Sequence, residues 1–462
     1  MKNVVLYPSP GMGHLISMVE LGKLILKHHP SLCITILTIT APFDTGATGS
    51  YISTVSSTTP SINFHHLPIT PLPQDPSSYP TFETISYELL TIHNPNVHQA
   101  LRAISGNSNV LALVIDFFCT PALTVAEQLN IPAYYFFTSS SAGLALFLYI
   151  PTLHRNNAQS FKDIMNTFLQ IPGLPPIPSA DMPAPLMDRT SKEYESFLYY
   201  TTHAPKSAGI IVNTFESLEP KALKAVRDGL CVTDGPTPPV FSIGPLIATH
   251  GGDGGEHGKK CLKWLDSQSK RSVVFLCFGS MGFFSEEQLK EIAVGLERSG
   301  QRFLWVVRSP PSKDQSRRFS APPDPDLGSL LPDGFLERTQ ERGLVVKSWA
   351  PQVAVLSHIS VGGFVTHCGW NSVLEAVSSG VPMVGWPLYA EQRFNKVALE
   401  SEGGLVTAIE VEKRVKELME TEKGFSIRSR ITALKEEARA AISDGGSSLA
   451  ELDKLIKFWR KK

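Results

Sequence analysis

The amino-acid sequence predicts an α/β protein built as two doubly wound parallel-sheet domains, and three observations predict it. Short apolar or β-branched runs alternate with helix-length segments, the rhythm of a parallel sheet with crossover helices. The alternation comes in two sets, separated by a glycine-rich polar interval that cannot bury apolar surface. The chain of 462 residues, 42 % of them hydrophobic, is too long for one core and suits two domains of about 220 residues each.

Taken in order, the first set of strands is expected at residues 4–7, 33–39, 111–115, 133–137 and 210–213, with helices at 15–27, 121–129 and 218–227 between them. The second set is expected at 272–278, 303–307, 344–347, 361–366 and 382–385. The interval with His250, Gly251, Gly252, Asp253, Gly254 and Gly255 marks the linker. The expected organisation is an N-terminal domain over 1–246, a linker over 247–260, a C-terminal domain over 261–445 and a terminal helix over 446–462. In that helix Leu449, Leu452, Leu455, Ile456 and Trp459 recur at helical spacing. Residues 309–330, rich in Pro, Ser and Asp, are expected as a long surface loop. Residues 171–185 carry six prolines and are expected to walk over the first domain, near a ligand mouth or as a plain connector.

Composition excludes several classes. The formal charge of −1, from 42 basic and 43 acidic residues with no basic stripe, argues against a nucleic-acid partner. Six cysteines (Cys33, Cys119, Cys231, Cys261, Cys277, Cys368) lie far apart without a Cys-x-x-Cys pair and read as reduced thiols of a cytoplasmic protein. Pro8, Pro10, Gly11 and Gly13 break the first apolar run before a secretory cleavage site can form. No stretch approaches the roughly 20 apolar residues of a membrane span.

Ligands of open α/β sheets bind beyond the carboxyl ends of the strands. His14 follows the loop after the first strand and opens a helix, and Asp116 closes another strand of the same domain. A carboxylate that fixes the imidazole tautomer makes the histidine a general base. In the second domain the 44-residue run from Trp349 to Gln392 places a turn, His367-Cys368-Gly369-Trp370-Asn371-Ser372, between an apolar strand and an amphipathic helix. Unpaired N–H groups and the positive dipole end at such a helix start suit a diphosphate. No Asp-x-Asp pair or His/Cys cluster of ligand spacing appears, so no metal and no further cofactor is expected.

The 349–392 run resembles the plant secondary-product signature of the family 1 UDP-dependent glycosyltransferases: Trp-Ala-Pro-Gln, His-Cys-Gly-Trp-Asn-Ser, Glu375 and a terminal Glu-Gln fall at the family's spacing. The loop Pro-Ser-Pro-Gly-Met-Gly-His-Leu and the strand end Val-Ile-Asp-Phe-Phe are similar to the same family's catalytic His and Asp, so the resemblance covers essentially the whole chain. It implies the GT-B fold, two Rossmann-like domains facing across a cleft, with the terminal helix packing back on the first. It implies Trp349 stacked on uracil, Ala350 as backbone partner of the base, and Gln352 and Glu375 on the ribose hydroxyls. His367, Asn371, Ser372 and Ser280 are implied as diphosphate contacts. Trp370, Glu391, Gln392 and Thr138 are implied as sugar contacts. Two positions depart from the pattern: Glu391 stands where Asp is frequent, and Ser17 where proline is common. Gln392, in place of His, favours glucose over galactose.

The resemblance implies inverting transfer of glucose from UDP-glucose by a division of labour that needs no metal: a base in one domain, a donor seat in the other. Segments such as SMVELGKLIL, TITAPFDTG and TTPSINFHHLP are similar to legume isoflavonoid and flavonoid 7-O-glucosyltransferases. A flavonoid-type phenol is therefore the expected acceptor, with isoflavones, flavones, flavanones and chalcones not separable, bound by a monomeric enzyme. Phe82, Tyr87, Phe117, Phe147, Tyr194 and Phe197 are read either as pocket or as core, and Phe118, Leu198 and Tyr389 as the acceptor-binding candidates. C-glycosylation of a flavonoid or dihydrochalcone and glucosylation of another small phenol stay open. A dinucleotide oxidoreductase lacks its third glycine here, and a non-catalytic nucleotide-sugar sensor has no need of His14 with Asp116.

Overall fold

The computed structural model describes residues 2–44, 46–248, 255–312, 323–396 and 405–460. The chain divides into two compact units, one centred on residues 1–246 together with 440–462, the other on 247–318 and 322–439.

The first unit contains β1 (Lys2–Tyr7), β2 (Leu32–Thr38), β3 (Ile62–His66), β4 (Asn109–Asp116), β5 (Ala133–Phe137), β6 (Phe168–Leu169), β7 (Ile177–Pro178), β8 (Gly209–Val212) and β9 (Val240–Ser242). Seven of these form one sheet in the order β3-β2-β1-β4-β5-β8-β9, while β6 and β7 pair separately. The strands of the large sheet run parallel, with Tyr7 opposite Ile115 at the carboxyl ends of β1 and β4. Val4 and Leu6 of β1, Ile34 and Ile36 of β2 and Val114 of β4 share a core with Leu15, Met18, Val19 and Ile25. Those four side chains mark the buried face of the helix Met12–His28.

Residues at the far end of the chain complete this same core. The helix Ser447–Arg460 buries Leu449, Leu452, Leu455, Ile456 and Trp459 against it. Trp459 meets the Tyr134 ring edge-on at 5.8 Å, and the Ser448 hydroxyl donates to the Gly244 carbonyl at 2.6 Å. Burying each such large apolar side chain stabilises the unit by about 1.5–3 kcal/mol.

The second unit contains β10 (Val273–Cys277), β11 (Arg302–Val307), β12 (Gly343–Lys347), β13 (Val361–Thr366) and β14 (Met383–Gly385), in the parallel order β12-β11-β10-β13-β14. Alternate residues of β10 point to opposite faces. Val274 and Leu276 join one core with Phe303, Trp305 and Val365, and Val273 and Phe275 join another with Leu304, Val306 and Phe364. Both faces are covered, which is why these strands read as continuous apolar runs.

Four details differ from the sequence reading. The edge strands β3 and β9 were not anticipated: only Ile62 of β3 is fully buried, and β9 has three residues behind Pro238 and Pro239. A helix, Gly255–Asp266, opens inside the stretch taken as linker, whose residues 249–254 lie outside the described residues. The loop over 309–330 ends in the short helix Leu327–Leu330, and its residues 313–322 also lie outside the described residues. The proline-rich stretch is more than a plain connector: Ile171, Ile177 and Met182, at most 3 % exposed, anchor it on the first unit while Pro175, Pro176 and Ala184 stay at the surface. Gly173, at φ +81°, lets it approach so closely that a Cβ there would stand 2.6 Å from the Ala225 methyl.

Candidate active site

In the first sheet the strand order reverses between β1 and β4, so a crevice opens beyond their carboxyl ends. The chain leaves β1 through Gly11, held at φ +136° as the cap of the helix Met12–His28, and His14 falls in that helix's first turn. Asp116 is the last residue of β4. The structure brings the two together: Asp116 Oδ2 lies 2.8 Å from His14 Nδ1. Its other oxygen accepts the Phe118 backbone N–H at 3.1 Å, and the carboxylate is 1 % exposed while the His14 side chain keeps 30 %. With the ring proton on Nδ1, that nitrogen donates to the carboxylate and Nε2 is the acceptor nitrogen of the ring. The Thr138 hydroxyl, just after β5, also reaches His14 Nδ1, at 3.3 Å.

Phe118 stands edge-on to the His14 ring at 5.7 Å and to Phe197 and Tyr200 at 5.9 and 5.8 Å. Phe118 and Leu198 are half-buried, as are Phe82 and Tyr87. Phe117, Phe147, Tyr194 and Phe197 are buried and belong to the core behind them. Tyr389 belongs to the second unit, where its ring lies 6.2 Å from that of His367.

In the second sheet the order reverses between β10 and β13. His367 follows β13 and is 6 % exposed. Two glycines make room for it: a Cβ on Gly279, at φ +75°, would stand 2.6 Å from His367 Nε2, and one on Gly369 would collide with the same atom. Burial lowers the His367 pKa to about 4, so the ring is neutral at neutral pH and donates from one nitrogen only. The helix Trp370–Ser379 starts three residues later, with Asn371 half-buried and Ser372 buried in its first turn. Trp370 itself is buried at 8 % exposure.

Gln352, first residue of the helix Gln352–Ser357, ties this turn together. Its Nε2 donates to Ser372 Oγ at 2.9 Å and to Glu375 Oε2 at 2.7 Å. Burial raises the Glu375 pKa to about 7, against the opposing pull of the Gln352 donor. Ala350 is buried, whereas Trp349 is 42 % exposed, and an indole offers a flat face for stacking. Ser280 is exposed after β10. Glu391 is half-buried, and Gln392 is buried with its Oε1 accepting the Leu388 and Tyr389 N–H groups at 2.9 and 3.1 Å. That oxygen shapes the loop around Tyr389, a role the sequence reading did not assign. Gly279 and Gly369 were likewise missed as the cradle of His367; Gly369 stands two residues after the histidine, but Gly279 lies on another strand's end and only the fold brings it there.

Among the described residues no group of three or more His, Cys, Asp or Glu is placed to hold a metal ion, and no helix is long and apolar enough to cross a membrane. None of the six cysteines is in a disulfide, and five of them are buried.

An enzyme that takes a sugar from a nucleotide donor needs a base for the acceptor and a seat for a diphosphate, and each switch point of this chain holds a candidate for one of them. The class this defines is the GT-B glycosyltransferases, with two Rossmann-like domains. Residues 229–423 match the family model described as UDP-glucoronosyl and UDP-glucosyl transferase. The chain is similar over its full length to UDP-glycosyltransferase 88B1 of Stevia rebaudiana, at 52 % identity and 99 % coverage of that protein. It is similar also to the anthocyanidin 5,3-O-glucosyltransferase of a Rosa hybrid cultivar, at 51 % identity and 99 % coverage of both chains. Among solved structures, Phytolacca americana UGT2 complexed with UDP-2fluoro-glucose and pterostilbene matches with a TM-score of 0.87, 36 % identity and full coverage of both chains. The chain belongs to the plant family 1 UDP-glycosyltransferases and is a UDP-glucose-dependent glycosyltransferase.

Proposed function

We propose that the protein transfers glucose from UDP-glucose, with inversion, to a phenolic hydroxyl of a flavonoid-type acceptor, at the 7-hydroxyl or its equivalent. The observation that carries this reading is the 2.8 Å pairing of His14 with Asp116 at the carboxyl edge of the first sheet. The Rosa relative, named for an anthocyanidin, supports the acceptor class. Half-buried Phe118 beside His14 supports a flat aromatic acceptor.

Asp116 holds the Nδ1 proton, and His14 Nε2 takes the proton of the acceptor hydroxyl as its oxygen attacks the anomeric carbon. The new C–O bond forms on the face opposite the bond to the diphosphate, which breaks and leaves UDP with the electron pair. A phenol, with a reference pKa of about 10 like that of tyrosine, asks less of the base than an alcohol does. Charge growing on UDP meets the start of the helix Trp370–Ser379 and the side chains of His367, Asn371, Ser372 and Ser280. Trp349 stacks on the base above the Ala350 backbone, Gln352 and Glu375 take the ribose, and Trp370, Glu391, Gln392 and Thr138 orient the glucose. The transfer so drawn uses no metal.

The test is UDP release from UDP-glucose with a panel of flavones, isoflavones, flavanones and chalcones, with products characterised by mass and acid lability. Acid-labile β-glucosides are expected. Acid-stable products would replace O-transfer by C-transfer, and no turnover with any flavonoid would overturn the acceptor class.

A further inference from the structure

Arg308 is the residue immediately after β11, and β11 lies between β12 and β10 in the second sheet. On the β12 side, Ser348 donates its N–H to the Val307 carbonyl at 2.8 Å and leads directly to Trp349. On the β10 side come Gly279 and Ser280, with His367 behind Gly279. A nucleotide with its base on Trp349 and its diphosphate at the start of the helix Trp370–Ser379 passes the ends of β11 and β10, strands spaced about 4.8 Å apart. Arg308 stands on that path.

Its guanidinium has no counter-charge among the described residues. The side chain is half-buried and takes part in no ion pair among the described residues, and the ionisable groups acting on it are Cys277 and Tyr389. Burial pushes the Cys277 thiol up to about 11, and Tyr389, 37 % exposed, is a phenol with an ordinary pKa of about 10, so both are neutral near pH 7. Lys347, the last residue of β12, already pairs with Asp324 at 3.2 Å. A desolvated cation that the fold leaves uncompensated is costly unless an anion from outside completes it. The diphosphate seat has the opposite deficit: the side chains assigned to it, His367, Asn371, Ser372 and Ser280, are neutral, and the helix end is worth about half a charge, whereas the departing diphosphate is an anion.

We propose that Arg308 is a donor-binding residue whose guanidinium engages the phosphate oxygens of the UDP moiety, supplying the full positive charge that the neutral His367 does not. This rests on the reading of the Trp349 to Gln392 segment as the donor site. Arg308 then discriminates between nucleotide and nucleoside: it holds phosphate and contributes nothing to base or ribose.

The experiment is calorimetric titration of wild type, Arg308→Gln and Arg308→Lys with UDP and, separately, with uridine, after thermal melts establish that each variant folds. Arg308→Gln is expected to weaken UDP by about 10- to 100-fold, the worth of a charge-assisted contact, and to leave uridine affinity unchanged, with Arg308→Lys between. UDP affinity equal to wild type, or equal losses for UDP and uridine, would overturn the assignment. Labelling of wild-type protein with phenylglyoxal reads the same point without a variant: UDP, but not uridine, protects Arg308, and equal protection by both would overturn it. Wild type that fails to bind UDP at all would sink the donor-site reading itself, which separates the two failures.

Discussion

Asp116 grips His14 with one carboxylate oxygen, at 2.8 Å from Nδ1, and anchors itself with the other on the Phe118 N–H at 3.1 Å. The ring orientation and the tautomer are thereby set by a buried group that itself has no freedom to turn. Asp116→Asn keeps the acceptor for Phe118 and turns a donor toward Nδ1, which moves the ring proton to Nε2 and removes the lone pair that takes the acceptor proton. Turnover is expected to fall about 10²- to 10⁴-fold in Asp116→Asn and in His14→Ala. UDP affinity, measured by calorimetry, should be unchanged in both. An Asp116→Asn enzyme with most of its kcat would remove Asp116 from the mechanism.

Glu375 makes nucleoside binding depend on pH. Its folded pKa of about 7 lies above the ordinary 4.5, so the acid form dominates below neutrality and the carboxylate above it. Ribose hydroxyls donate to the carboxylate, so uridine affinity should rise as pH climbs from 6 to 8, with a midpoint near 7. Uridine is the probe because it carries no titrating phosphate. Glu375→Gln should bind uridine about 10-fold more weakly at high pH, the loss of a charge-assisted acceptor, and show no such midpoint. The linked stability runs the other way: a raised carboxyl pKa contributes stability that is complete below pH 4.5 and is lost as pH rises through 7. Thermal melts of the ligand-free enzyme at the two ends of that window check the sign.

Much of this architecture is visible in the chain because the second sheet is covered on both faces. Val361 to Thr366 is buried at every position, so it reads as an uninterrupted apolar run and declares its strand. The sequence Ile62 to His66 lies at a sheet edge with polar side chains outward, and no such run exists to be read. His14 and Asp116 are legible as candidates because each follows a strand directly. What no pattern displays is the tertiary use of a side chain. The Gln392 carboxamide turns its oxygen to two backbone N–H groups of its own loop, and the prolines of residues 171–185 carry Ile171, Ile177 and Met182 inward.

Gly279 offers a separation of strain from collision. At φ +75° a side chain is disfavoured, and a Cβ would in addition stand 2.6 Å from His367 Nε2. Gly300 has a similar φ of +68° as the cap of the helix Glu286–Ser299, but a Cβ there meets nothing within 4 Å. Gly300→Ala should cost about 1 kcal/mol of stability through backbone strain alone and leave the KM for UDP-glucose unchanged. Gly279→Ala should lower the Tm and also raise that KM by displacing the imidazole. Equal KM values in the two variants would mean that His367 has no part in holding the donor.

Trp459, three residues from the chain end, is 1 % exposed in a core built by the strands of the first unit. Removing so large a side chain from a packed interior costs about 3–5 kcal/mol, and the loss belongs to one unit. In Trp459→Ala, hydrogen exchange is expected to accelerate across β1 and β4, whose Val4, Leu6 and Val114 share that core. Protection of β10 and β13, whose cores contain no residue of the terminal helix, should stay at its wild-type level. Uniform acceleration over both sheets would show that the two units unfold as one, and no acceleration anywhere would show that the helix Ser447–Arg460 adds nothing to the first core. The expected split follows from residue membership: a helix at the end of the sequence stabilises the strands at its beginning.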